Sequence, residues 1–191
     1  TVDVEHGLPS GYGDGATGRI VFVVALVFAA FQIAASINAN IFSDAVTWAS
    51  GGAAWAKPIA NLVSLSALKV RALHVGFLLL LSGALYAELT ARNGLSRAFF
   101  WIVGLAGAGV ALYQTLDHDA LLLRAGDLEP RDIAFGVVSL AVIFVMVWRM
   151  MGPALPIIAG SFLAYALFGH LLPAPLNHRG YALEQVIDQL A

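Results

Sequence analysis

His74 is the ionisable side chain that stands out within the long apolar runs of this 191-residue sequence. A histidine at such a position could relay protons, because its ring gains and loses a proton near neutral pH. It lies only about one helical turn into its run, beside Arg71, so its ring could instead bond loop carbonyls at the membrane surface. This structural interpretation is favoured over a proton relay.

Two other groups of residues have the types needed for a site. Asp117-His118-Asp119 offers metal ligands, but three consecutive side chains do not normally converge on one ion, and a solvated loop explains them equally well. Ser161 and His170 would suit a serine hydrolase, yet their nine-residue separation along a helix places them on opposite faces, about 13 Å apart. The sequence therefore predicts no catalytic residue, and no metal or cofactor site, in this chain.

Side-chain amides form a third set of polar candidates. They could line a solute path, but in membrane proteins such amides more often bond across helices or lie at the level of the lipid headgroups, and the second interpretation is favoured. The residues are Gln32, Asn38 and Asn40 in the first apolar run and Gln114 in the third.

The composition is that of a membrane protein. Hydrophobic residues make up 60% of the chain and charged residues only 12%, and the mean hydropathy is strongly positive. The chain has no cysteine, which removes disulfides and thiolate metal sites. Its ten Lys and Arg residues form no basic patch and its net charge is −2, so a nucleic acid partner is not expected.

The apolar runs predict an all-α fold, a polytopic membrane helical bundle of about five transmembrane helices with a terminal amphipathic helix. Between the first two runs, segment 42–69 carries Trp48, Trp55 and Lys57-Pro58, which indicate short helices at the membrane surface. The predicted spans cover about residues 20–41, 72–89, 99–116, 133–148 and 157–172.

Small residues in the third span predict close helix packing. Gly104 and Ala108 have the small-xxx-small spacing that lets two helix backbones approach, and Gly107 lies between them. We expect a tightly packed neighbour at this face.

The C-terminal segment 182–191 has the pattern of a short amphipathic helix. Its polar face carries Glu184 and Asp188, so another protein surface is a better partner for it than anionic lipid. The apolar residues that could contact this partner are Leu183, Val186, Ile187 and Leu190.

The positive charges in short loops indicate the orientation. Arg92 and Arg97 lie in a tight loop after the second predicted span, and Arg149 closes the fourth. Because Lys and Arg in short loops are retained in the cytoplasm, we expect a cytoplasmic N-terminus.

Several stretches resemble a known transporter family. These are Arg71-Ala-Leu-His-Val-Gly-Phe, Gly126-Asp-Leu-Glu-Pro-Arg-Asp, Gly152-Pro-Ala-Leu-Pro-Ile-Ile, Phe162-Leu-Ala-Tyr-Ala-Leu-Phe-Gly-His-Leu-Leu-Pro and His178-Arg-Gly-Tyr. The sequence from about 69 to 190 is similar to the N-terminal part of fused permeases of the tripartite ATP-independent periplasmic (TRAP) transporters, in their TAXI branch.

The resemblance implies a sodium-coupled importer of small organic acids or similar solutes in the inner membrane of a bacterium or archaeon. In that family a periplasmic solute-binding protein delivers the solute, and a large transport portion, which also holds Na⁺, moves like an elevator against a static scaffold. For this chain it implies a four-span scaffold at 19–150, a linking transmembrane helix at 151–175 and, at 176–191, the beginning of a transport portion that is fused or separate. The segment 1–18 is acidic and rich in glycine, which indicates a flexible tail.

Two other functions stay open at the level of the sequence. One is a self-contained membrane enzyme or proton-conducting subunit that uses His74 and the charged loop at 117–132. The other is a membrane assembly factor without a transport partner.

Overall fold

A computed structural model describes residues 16–38 and 40–190 of the chain. The tail predicted at 1–18 therefore lies, up to residue 15, outside the described residues. Within them all regular secondary structure is helical, which confirms the predicted all-α fold class. The helices are α1 (Ala16–Ile37), α2 (Ile41–Ala49), α3 (Lys57–Leu62), α4 (Ala67–Leu89), α5 (Gly94–Leu116), α6 (His118–Leu123), α7 (Pro130–Met151), α8 (Ala154–Phe168) and α9 (Leu183–Leu190), with short 3₁₀ helices at Ala54–Ala56 and Gly169–Leu171.

Five of these helices are long and apolar enough to cross a membrane. Large apolar side chains cover their outer surfaces: Ile33 on α1 and Ile102 on α5 are each almost two-thirds exposed. Such extensive apolar exposure is disfavoured in water but suits the hydrocarbon of a bilayer, where helices satisfy their own backbone hydrogen bonds. The chain is a multi-pass membrane protein.

Side-chain caps set the starts of α4 and α5. Ser66 Oγ accepts a hydrogen bond from the Lys69 backbone N–H at 3.2 Å, and Asn93 Oδ1 accepts one from the Ser96 backbone N–H at 2.8 Å. Both helices consequently begin five residues before the apolar spans predicted at 72 and 99. Hydropathy alone started each predicted span after a basic residue, Arg71 or Arg97, whereas the caps start the two helices before these residues.

The segment between α1 and α4 contains the short helices that its sequence predicts. Two of them are α2 and α3, and the third is the 3₁₀ turn at Ala54–Ala56. Gly51 and Gly52, with φ angles of 61° and 76°, end α2 in the left-handed region that glycine adopts without strain. The location of this segment at the membrane surface stays a prediction.

The chain forms two compact units, residues 1–108 and 109–191. In the first, α1 packs on α4 and α2 on α3; in the second, α7 contacts both α8 and α9. The second unit contains α6, a helix within the stretch that the sequence analysis treated as loop 117–132. Hydropathy windows miss it because its six residues are flanked by charges on both sides.

The backbones of α4 and α5 meet in the first unit. A Cβ atom added to Gly83 would lie 2.7 Å from both Gly104 Cα and the Phe100 carbonyl oxygen, and one added to Gly107 would lie 2.7 Å from the Leu79 side chain. The neighbour at Gly104 and Gly107 is therefore α4 of the same chain. Ala108 is half-buried on the same helix.

We predict that Gly83→Ala destabilises the protein by about 1–3 kcal/mol, because backbone atoms on both helices must separate to admit a methyl group. Gly109→Ala on α5 is the matched control: its Cβ would meet nothing within 4 Å, so a change below about 1 kcal/mol is expected. Thermal unfolding of the purified protein in detergent measures both variants, and equal midpoints would contradict the close contact.

Candidate functional site

The His74 ring lies between α4 and α1 and is hydrogen-bonded to the Gln32 side-chain amide. This corrects the expectation that loop carbonyls would be its partners. The Phe28 ring meets it edge-on, with centroids 5.2 Å apart, and Phe28 also stacks on Phe77 at 5.2 Å. With Nδ1 accepting from the amide, the neutral ring carries its proton on Nε2. Within the described residues His74 has no hydrogen bond or ion pair with a second titratable group.

The asparagines at the end of α1 form a turn. Asn38 Nδ2 donates to Asp44 Oδ2 at 3.0 Å, and Asn38 Oδ1 accepts from the Asn40 backbone N–H at 2.9 Å. These bonds join the end of α1 to the beginning of α2, and the side-chain amide of Asn40 accepts from the Ser64 hydroxyl at 3.5 Å. Gln114 is half-buried near the end of α5.

The metal and hydrolase candidates of the sequence are not brought together. Asp117 directs its carboxylate to Arg124 and Arg131, at 3.7 and 3.5 Å. Among the residues that the structure describes, no three His, Cys, Asp or Glu side chains form a group able to hold a metal ion. Ser161 donates its hydroxyl to the Ile158 carbonyl oxygen at 2.7 Å, within its own helix, and His170 lies beyond the end of α8.

Asp132, near the start of α7, is the centre of a buried polar cluster that the sequence analysis did not single out. Its side chain is 2% exposed. One carboxylate oxygen accepts from Arg124 Nε at 3.0 Å and from the Glu129 backbone N–H at 2.9 Å. The other accepts from Arg124 Nη2 at 3.1 Å and from the Tyr113 hydroxyl. The guanidinium of Arg124 thus donates two hydrogen bonds to one carboxylate, and such bidentate pairs are among the strongest ion pairs between side chains.

Three carboxylates, those of Asp117, Glu129 and Asp132, surround the two guanidinium groups of Arg124 and Arg131. Arg131 Nε contacts Glu129 at 2.8 Å, and Arg124 Nε approaches Glu129 at 3.7 Å. The hydrogen bond to Asp132, together with the nearby carboxylates, raises the pKa of Arg124 above its already high ordinary value, so its guanidinium stays charged at every accessible pH. The cluster thus links the end of α5, the region after α6 and the first turn of α7.

A local signal for this cluster was present in the sequence. Glu129 and Asp132 form a reciprocal capping box, with Pro130 at the first helical position. The density of charges in 117–132 indicates only a charged loop. No local pattern points to Tyr113, which lies 19 residues from Asp132 in the chain.

The amphipathic helix α9 packs on α7 and α8. Of its four predicted contact residues, Val186 and Ile187 are buried within the chain, at 7% and 1% exposure, whereas Leu183 and Leu190 are about half exposed. Gln185 Oε1 accepts from the Ala182 backbone N–H at 3.1 Å, at the start of the helix. An apolar groove of about 530 Å³ runs between α7, α8 and α9, and Leu190 lies on its wall.

No family model, curated protein or solved structure matches this chain.

We predict that Arg124→Gln lowers the free energy of unfolding by about 3 kcal/mol, because it removes the one guanidinium that is hydrogen-bonded to the buried Asp132 carboxylate and leaves only Arg131, whose Nε is 3.9 Å away. Arg131→Gln is the matched control. Its side chain is 52% exposed, so the loss is expected to stay below about 1 kcal/mol. Unfolding of the purified variants in detergent measures both losses. Equal losses would show that the bidentate contact between Arg124 and Asp132 stabilises the protein no more than the exposed contacts of Arg131 do.

Proposed function

We propose that the chain is the static scaffold portion, with its linking helix, of a sodium-coupled TRAP transporter of the TAXI type. The observation that carries the proposal is the arrangement after Met151, in a region where the resemblance is most detailed. There α7 ends at Met151 with Gly152 as its C-cap, α8 forms a further apolar helix, and the connector leads to the amphipathic α9. This is the order expected of a scaffold, a linking span and the beginning of a transport portion.

The internal contacts suit a part that must not deform while another part moves. Gly83 and Gly104 bring two spanning helices into backbone contact, and Asp132 binds the ends of three elements through four hydrogen bonds. Contacts of this kind have few alternative arrangements of similar energy. The role of the chain is mechanical: it anchors the frame against which the transport portion carries solute.

In this proposal the solute and Na⁺ bind in the transport portion, and the substrates are small organic acids or similar solutes. A periplasmic solute-binding protein delivers them to the complex in the inner membrane, with the N-terminus of the chain in the cytoplasm. The partly exposed Leu183 and Leu190 on α9 provide an apolar surface for the transport portion, since Val186 and Ile187 already anchor the helix to its own chain.

We predict that the double variant Leu183→Ala, Leu190→Ala reduces sodium-driven solute uptake several-fold, since it removes exposed apolar contacts while leaving the anchor of α9 intact. The assay uses the complete transporter in proteoliposomes with its binding protein. Leu95→Ala on α5 is the control, because Leu95 is 82% exposed and lies far from α9 in the sequence.

Two results would contradict the proposal. The first is the absence of any sodium-driven, binding-protein-dependent uptake by complexes that contain this chain. The second is a proton leak or enzymatic activity of the purified chain alone that is lost in His74→Ala, which would favour the proton-conducting or enzymatic alternative.

A further inference from the structure

His178 lies in the connector 172–182, and both nitrogens of its ring face carbonyl oxygens. Nδ1 is 2.6 Å from the carbonyl oxygen of Arg179, and Nε2 is 2.9 Å from the carbonyl oxygen of Tyr165. A carbonyl oxygen can only accept a hydrogen bond, whereas a neutral imidazole has one N–H donor and one bare acceptor nitrogen. Both contacts are therefore hydrogen bonds only when His178 is the doubly protonated imidazolium.

Groups with partial negative charge surround the ring. The Tyr165 carbonyl belongs to the last turn of α8, where the carbonyl ends of the peptide dipoles carry partial negative charge. The Tyr165 ring meets the imidazole edge-to-face with centroids 4.5 Å apart, and the Tyr181 ring lies at 5.6 Å. Aromatic rings within about 6 Å of a cation add electrostatic attraction.

Gly169 makes room for the ring. A Cβ atom added to Gly169 would lie 2.0 Å from His178 Nε2, so the imidazole occupies the space that any other side chain would need. Two further bonds hold the connector against α8: the Tyr165 hydroxyl donates to the Leu176 carbonyl at 2.9 Å, and the Tyr181 N–H donates to the Ala166 carbonyl at 3.4 Å.

The titratable groups beside His178 are two phenols and two basic side chains. The phenols are those of Tyr165 and Tyr181, and the neighbouring basic side chains are Arg179 and His170, the latter packed against Gly180. In the part of the chain that the structure describes, no carboxylate forms an ion pair with the His178 ring. The two carbonyls and the aromatic rings are its stabilising partners.

We propose that His178 is a proton-dependent latch that joins the last turn of α8 to the connector and so fixes the direction in which α9 leaves α8. Loss of one proton turns one donor into a lone pair that faces a carbonyl oxygen, and this contact becomes repulsive. Because the latched connector binds the proton, the latch is strong at low pH and weakens as the pH rises through the range in which histidine titrates. The inference concerns a hydrogen-bonded joint and does not rest on the transport function.

Cleavage by trypsin after Arg179 tests the latch, because the bond to be cut contains the carbonyl that His178 holds. The full chain is digested in lipid nanodiscs, and the rate at Arg179 is divided by the rate at Arg92 in the exposed loop after α4. This ratio removes the pH dependence of trypsin itself. Between about pH 5.5 and pH 8.5, which spans the titration of histidine, the ratio is expected to rise several-fold in the unaltered protein.

Three variants decide the interpretation. His178→Gln is expected to give a high ratio at every pH, and Gly169→Ala to do the same although the histidine is still present, since a methyl group displaces the ring. His170→Gln, which changes the neighbouring histidine, is expected to behave as the unaltered protein. A ratio in His178→Gln that equals that of the unaltered protein, including absence of cleavage in both, would overturn the proposal.

Nitrogen-15 NMR of histidine-labelled protein provides a measurement that does not depend on cleavage. In the unaltered protein at about pH 5.5, below the range in which histidine titrates, both ring nitrogens of His178 should show the resonances of imidazolium, and these signals should disappear in His178→Gln. A single neutral tautomer of His178 at that pH would overturn the proposal, even if the variants are cleaved faster.

Discussion

The hydrocarbon interior of a bilayer offers no hydrogen bonds, and this constraint shapes the polar contacts described above. A polar group at membrane depth must find its partner inside the protein or carry a large free-energy penalty. His74 has the amide of Gln32, and the Asp132 carboxylate, close to the end of a spanning helix, has four donors. Each such pairing joins two helices or two segments, so the requirement for hydrogen bonds also fixes which elements lie together.

The same solvent weakens the hydrophobic effect as a force between helices, because lipid tails are as apolar as the side chains that they would replace. Close packing then has to supply the attraction. At Gly83 and Gly104 the two backbones approach without intervening side chains, which maximises their van der Waals contact. Fully buried side chains are correspondingly few among the described residues: Met146, Ile187 and Val21 are the largest. Apolar residues elsewhere on the spans face outward.

The two units have different kinds of internal support, and this difference bears on the proposed scaffold. In residues 1–108 aromatic rings and glycines mediate helix contacts, as with Phe28 and Phe77, beside the polar pair of Gln32 and His74. In residues 109–191 the apolar Val186 and Ile187 anchor α9, and charged and polar groups add contacts at Asp132 and at His178. The polar contacts at Asp132 and His178 hold helix ends and connectors together. They would keep α8 and α9 in a fixed relation while a partner moves.

The sequence by itself determined the number, order and approximate length of the spans, because apolar length is a local property of the chain. It also determined the amphipathic pattern of α9, which depends on neighbouring residues only. It did not determine the pairing of Gln32 with His74, 42 positions apart, or of Tyr113 with Asp132. Only the tertiary structure decided these contacts, since they depend on which faces of distant helices meet. The side-chain caps at Ser66 and Asn93, in contrast, are local contacts, although hydropathy alone set the helix starts five residues later.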